Sequence, residues 1–256
     1  IERGLLQARR NEKDFLLRVD EKYVGRHTDV MSAIKVHVAE ATAAAAAMDI
    51  AGARAQFDSM LQDITAYEAS FTQLVTAKTT LGLNPSSGLE GELRSAVQTV
   101  EEALKTVENA PLQVKMLMMR RHEKDFLLRK NEKYVDKFNQ RIVLIKQNIH
   151  ALHNALDTIP SLKLQLSDTH DLIEQYETQF LTLVALDKRI GLTKDQGLRQ
   201  AFNLAETQLK EAVLTTGDTN AISSMVRLVL LENDFQSSLD IAAKNQAQEK
   251  LSTVKT

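Results

Sequence analysis

Arg9 and Arg120 are the residues of this chain whose type and setting point most directly to chemistry. Each opens the same stretch of sequence: RRNEKDFLLRVDEKYV from Arg9 to Val24 and RRHEKDFLLRKNEKYV from Arg120 to Val135, identical at thirteen of sixteen positions and 111 residues apart. Arg9, Leu16 and Tyr23 share one heptad position, as do Arg120, Leu127 and Tyr134. Each guanidinium is thereby in register with apolar residues near a helix seam. Arg9 with Lys13, and Arg120 with Lys124, are like charges at i,i+4, a spacing that costs stability on an isolated helix. A half-buried arginine beside a lysine needs a countercharge. Glu12 and Glu123, three residues on, can supply it. A bound carboxylate would supply it more completely, because guanidinium presents parallel donors that fit a carboxylate bidentately. With a tyrosine hydroxyl as a further donor, that second reading is a small-anion site between helices.

The rest of the block has a plainer reading. Arg10, Asp14 and Arg18 are spaced i, i+4, i+8, as are Arg121, Asp125 and Arg129; each set is a ladder of opposite charge along one helix face, worth a few tenths of a kcal/mol per pair. Phe15, Leu16 and Val19, like Phe126 and Leu127, face the core in this reading. The echo continues downstream: YEASFTQLV at Tyr67 answers YETQFLTLV at Tyr176, LGL at Leu81 answers IGL at Ile190, and LRSAVQTVE at Leu93 answers LRQAFNLAE at Leu198. A fading third copy is LLENDF at Leu230 to Phe235, and Arg227 just upstream of it could complete the site near Arg9. Arg94 and Arg199 are repeat-equivalent too and read as a solvated face.

These residues must be positioned by helices. Apolar residues recur at helical spacing through most of the chain, and nine Gly, three Pro and 5% aromatics leave a sequence dominated by good helix formers. Breakers divide it into helices over about Gly4–Met48, Ala53–Leu81, Leu89–Glu108, Leu112–Thr158 and Leu162–Ile190, with a helical remainder over Leu198–Ser252. The first and fourth would be roughly 68 Å long at 1.5 Å per residue. The expected fold is all-α: two stacked four-helix bundles sharing two long helices, with an internal duplication. One bundle is expected around 1–24 with 136–190 and the C-terminal helix, the other around 30–135. An up-down-up-down path would set Arg9, Arg10 and Lys13 beside Tyr176, and Arg120, Arg121 and Lys124 beside Tyr67.

Composition narrows the function. A net charge of -2 argues against nucleic acid as a partner. The absence of cysteine excludes disulfides and cysteine-based nucleophile or metal chemistry. No GxSxG, phosphate-binding glycine loop or Glu-x-x-His pair is present, so neither hydrolase, nucleotide nor di-iron chemistry is indicated. His150 and His153 can share a helix face but lack a second ligand pair; no metal and no cofactor is expected. No segment approaches the ~20 apolar residues of a transmembrane helix. Opening at Ile1 inside an apparent helix, the chain reads as a piece of a longer protein.

The paired RRxEKDFLLRxxEKYV block in an all-helical chain of this length resembles the helical bimodular sensor domain of bacterial methyl-accepting chemotaxis receptors, over essentially the whole chain. The resemblance implies a periplasmic domain of an inner-membrane protein, held by flanking helices absent from this sequence, working as a homodimer and not as an enzyme. It implies small carboxylate ligands, such as malate, succinate or related C4-dicarboxylates, with acetate as a second ligand in the other bundle; the bundle around 1–24 with 136–190 and the C-terminal helix would be membrane-proximal and the one around 30–135 distal. It implies that binding shifts a helix running into the membrane. By position, Arg9, Arg10 and Lys13 match the motif in one module and Arg120, Arg121 and Lys124 in the other. The alternative is a structural or partner-binding bundle without a small ligand.

Overall fold

The computed structural model describes residues 2–48, 52–107, 109–155 and 159–214. Among them it is all-helical: α1 (Glu2–Arg18), α2 (Lys22–Ala47), α3 (Ala53–Leu81), α4 (Gly88–Val107), α5 (Ala110–Arg129), α6 (Lys133–Ala155), α7 (Pro160–Ile190) and α8 (Gly197–Leu214). The helix ends lie where the breakers place them. Asn109 accepts from the Leu112 N–H at 3.1 Å and Pro111 follows it, while Pro160 begins α7. Both prolines use a first-turn position where no N–H is needed. Gly88 and Gly197 both have φ 57°, and a Cβ on either would run into the carbonyl of Thr80 or Arg189.

The two long helices do not form. Each breaks inside the repeated block, at Val19 (φ 53°) and Lys130 (φ 48°). The N–H of each turns back to a phenylalanine carbonyl, Val19 to Phe15 and Lys130 to Phe126, both at 2.7 Å. The next residue starts the following helix: Asp20 Oδ1 accepts from the Lys22 N–H (3.0 Å) and Asn131 Oδ1 from the Lys133 N–H (3.1 Å). Such Asx turns offer the backbone an alternative to continuing the helix. The repeated block is thus a hairpin corner, which folds α1 back on α2 and α5 back on α6. Close approach follows in the first hairpin, where a Cβ on Gly4 would meet the Ile34 side chain at 2.7 Å.

A β-branched residue in the left-handed region is strained, and Lys130 can offset its own strain through an ion pair with Asp187 at 2.5 Å. Val19 has no such compensation. Val19→Gly is expected to raise the unfolding free energy by about 1 kcal/mol. Denaturant unfolding checks this, and a loss of stability would mean that the Val19 side chain contributes more packing than the backbone loses in strain.

The chain divides into two compact units, residues 1–75 with 198 onward, and residues 76–197. This replaces the expected division into 1–24 with 136–190 and 30–135. The corners are the physical cause, since a chain that folds back at Val19 keeps α1 and α2 in one bundle. The repeats also exchange an element. α4, which ends the first repeat, packs on α7 and α5 in unit 2, while α8, which ends the second, belongs to unit 1.

Each unit has an aromatic core built from equivalent positions. In unit 1, Phe15 meets Phe71 edge-on (6.0 Å, 88°), and Phe71 lies under His27 at 4.3 Å. In unit 2, Phe126 meets Phe180 (5.8 Å, 88°), with Phe138 at 4.2 Å. These rings are fully buried and dominate the packing. Lys35 to Glu68 ties α2 to α3, and the equivalent Lys146 to Glu177 (2.7 Å) ties α6 to α7.

Candidate functional site

In unit 1 the Arg9 guanidinium is sealed between carboxylates. One terminal nitrogen lies 2.6 Å from Glu12 Oε2 and the other 2.5 Å from Glu206 Oε1, which Lys210 also approaches at 2.5 Å. The Tyr67 hydroxyl donates to Glu12 Oε2 at 2.7 Å. Arg9 and Glu12 side chains are 8% and 2% exposed. Burial, the largest influence, raises the Glu12 carboxyl above its usual range against the pull of Arg9 and the Tyr67 hydrogen bond. Burial and the Glu12 charge hold Tyr67 well above an ordinary phenol.

Beside this cluster His27 is buried in the aromatic core, with no hydrogen-bond partner for Nε2 among the described residues. Burial first, then the Arg9 charge, depresses its pKa to about 4. It is a neutral core histidine over the physiological range.

Unit 2 repeats the arrangement with a looser seal. Arg120 pairs through one terminal nitrogen with Glu101, the repeat equivalent of Glu206. The Tyr176 hydroxyl donates to Glu123 Oε2 at 2.5 Å. Burial, ahead of the Tyr176 hydrogen bond and the Arg120 charge, raises the Glu123 carboxyl. Arg120 and Glu101 side chains are 27% and 28% exposed, and Arg120 Nε, itself shielded from solvent, has no acceptor among the described residues. The same fold position therefore holds a closed ion-pair network in one unit and a partly open arginine in the other.

Tyrosine pairing differs from the sequence reading. Tyr67 lies with Glu12 and Arg9, and Tyr176 with Glu123 and Arg120, rather than crosswise, because the corner keeps each block with its own repeat's third helix. Of the remaining candidates, Arg10, Arg121 and Lys124 lie on exposed faces; Arg10 stands 4.0 Å from Asp14, which Arg18 approaches at 3.2 Å, and Arg129 pairs with Asp125 at 3.3 Å. Arg10, Arg18 and Arg129 follow the ladder reading, whereas Arg121 makes no ion pair with Asp125 among the described residues. Lys13 is half-buried and contributes its charge at Glu12. Arg227 lies outside the described residues.

Glu101 and Glu206 are site residues that spacing along the chain does not assign. Both close the shared LR…E segment, so their equivalence was visible, but the partner arginine comes from the other repeat. His170, Asp171 and Glu174 bring ligand atoms together on α7, an exposed group in which Glu174 is held by Lys146 at 3.1 Å; it has no buried donor of its own. No helix among the described residues is long and apolar enough to cross a membrane. No family model, curated protein or solved structure matches the chain.

Proposed function

We propose that the chain is the periplasmic ligand-binding domain of a transmembrane chemoreceptor, which takes up a small carboxylate such as malate or succinate at Arg120 and works as a homodimer. The observation that carries the reading is the exposure of the Arg120–Glu101 pair, whose side chains are 27% and 28% exposed against 8% and 10% for Arg9 and Glu206 in unit 1. Glu101 stands where a ligand carboxylate would bind. Exchange of Glu101 for one carboxylate of the ligand keeps the Arg120 guanidinium paired, so its charge is not stranded. The partly exposed Glu101 side chain can turn to water as the ligand arrives.

Because Glu101 is on α4 and Arg120 on α5, the exchange removes a bond between two helices. A ligand that prefers the released arrangement shifts the helices toward it, with a coupling of about 1–3 kcal/mol in ordinary cases. The structural alternative is favoured in unit 1, where Arg9 is held on both sides by Glu12 and Glu206. Unit 1 is accordingly assigned a supporting role and acetate is not assigned to it.

Removing the internal competitor provides the test. Glu101→Gln is expected to bind succinate up to about fivefold more tightly than the wild type, the equivalent of a half-exposed pair worth about 1 kcal/mol. Unchanged affinity in this variant would show that Glu101 does not occupy the ligand position.

A further inference from the structure

The outer face of the α5–α6 corner is built differently from its counterpart in unit 1. Residues 120–141 carry eight cations against four carboxylates, a net of +4 in a chain of net -2, whereas the equivalent residues 9–30 carry six against five. The difference is concentrated at four positions: Lys130, Asn131, Gln140 and Arg141 stand where unit 1 has Val19, Asp20, Asp29 and Val30.

Arg129, Lys133 and Lys137 lie 5.6, 5.0 and 5.8 Å from the centre of the Tyr134 ring, as Arg18, Lys22 and Arg26 lie 5.7, 4.9 and 5.6 Å from the Tyr23 ring in unit 1; what unit 2 adds to that shared cluster is the charge of Lys130 and Arg141. Lys137, Arg141 and Arg121 act together on His122, whose pKa is lowered by burial first and by these charges next, with Asp125 the opposing acid. His122 Nδ1 is shielded and has no partner among the described residues. Of the nearby carboxylates, Asp125 is engaged by Arg129 at 3.3 Å and Glu132 by Lys188 at 2.6 Å, which leaves exposed Asp136 as the acid on this stretch of α6. Among the described residues Arg121, Lys133, Lys137 and Arg141 make no ion pair with an acid. Like charges brought together on a helix pair cost stability, and the cost is recovered when an anion bridges them.

We propose that this face binds a multivalent phosphate-type anion, held by Arg121, Lys133, Lys137 and Arg141. It is separate from the Arg120 cluster, which lies between helices and is balanced by carboxylates. Exposure selects the chemistry: a single carboxylate gains little from exposed cations, while a multivalent phosphate engages several at once and suits guanidinium forks. The phosphate can belong to a free polyphosphate or to a lipid headgroup.

The test is titration with pyrophosphate at low ionic strength, with cosedimentation on phosphatidylglycerol vesicles as a second arm. Lys137→Glu with Arg141→Glu is expected to weaken binding about tenfold or more, and added salt to weaken the wild type. Arg26→Glu, the counterpart of the Lys137 change in unit 1, should leave binding within about twofold. Circular dichroism confirms that both variants are folded. Binding to pyrophosphate with this pattern supports a free anion; binding to vesicles alone with the same pattern supports a headgroup. No binding in either arm, or binding indifferent to the double substitution, overturns the proposal.

Discussion

Arg9→Ala is expected to lower the unfolding free energy by about 3–5 kcal/mol, the loss typical when one partner of a buried ion pair is removed. The variant would leave Glu12, with a side chain 2% exposed, and Glu206, 10% exposed, without the guanidinium that lies between them. Lys210 reaches Glu206 but is not paired with Glu12 among the described residues. The counterpart Arg120→Ala should cost only about 1 kcal/mol, because its pair with Glu101 is more than a quarter exposed and water can take over. Denaturant unfolding of the two variants side by side measures the difference. Equal losses would contradict the distinction between a closed cluster in unit 1 and an open one in unit 2.

The second large effect is on pH dependence. His27 has its pKa depressed from 6.5 to about 4 in the folded protein, so between those values the unfolded chain binds the proton more readily. Stability is therefore complete above pH 6.5 and is lost as pH falls toward 4, by a total on the order of 3 kcal/mol. His27→Phe should abolish this loss. The substitution reproduces a packing that unit 2 already contains, since Phe138 occupies the equivalent place over Phe180 at 4.2 Å against 4.3 Å for His27 over Phe71. Glu12 and Glu123, raised by burial, act in the opposite sense and favour the fold as pH falls toward 4.5. They are present in both proteins, so the quantity to measure is the difference between variant and wild type, by unfolding at pH 7 and pH 4.5. A difference that does not widen at the lower pH would mean that His27 is not kept neutral by its surroundings.

The corner explains what could be read from the chain and what could not. Helix ends marked by Gly, Pro or Asn were legible, because those residues act on the backbone locally: Asn109-Ala110-Pro111 starts α5 and Pro160 starts α7. The breaks at Val19 and Lys130 were not, since neither residue favours a positive φ and apolar periodicity continues across both. The signal was Asp20 and Asn131, two short polar side chains at one repeat position, each able to accept from the backbone two residues on.

The corner also decides the site: a straight rod through α1 and α2 would set Tyr176 beside Arg9 and Tyr67 beside Arg120, whereas the fold-back places Tyr67 with Glu12 and Arg9 and Tyr176 with Glu123 and Arg120. The countercharge at i+3 was named correctly for Arg9, whose Glu12 lies at 2.6 Å. The second carboxylate could not be inferred from spacing, because Glu206 is brought to Arg9, and Glu101 to Arg120, by the exchange of α4 and α8 between repeats. Long-range pairing of that kind depends on topology rather than on local pattern.

The most direct measurement is calorimetric titration of the wild type and Arg120→Ala with malate, succinate, citrate and acetate in phosphate-free buffer. Saturable heat with at least one acid, abolished in Arg120→Ala, is the predicted result. No heat with any of the four, or heat that persists unchanged without the Arg120 guanidinium, would contradict a carboxylate site at Arg120 and leave the cluster as a device that holds helices together.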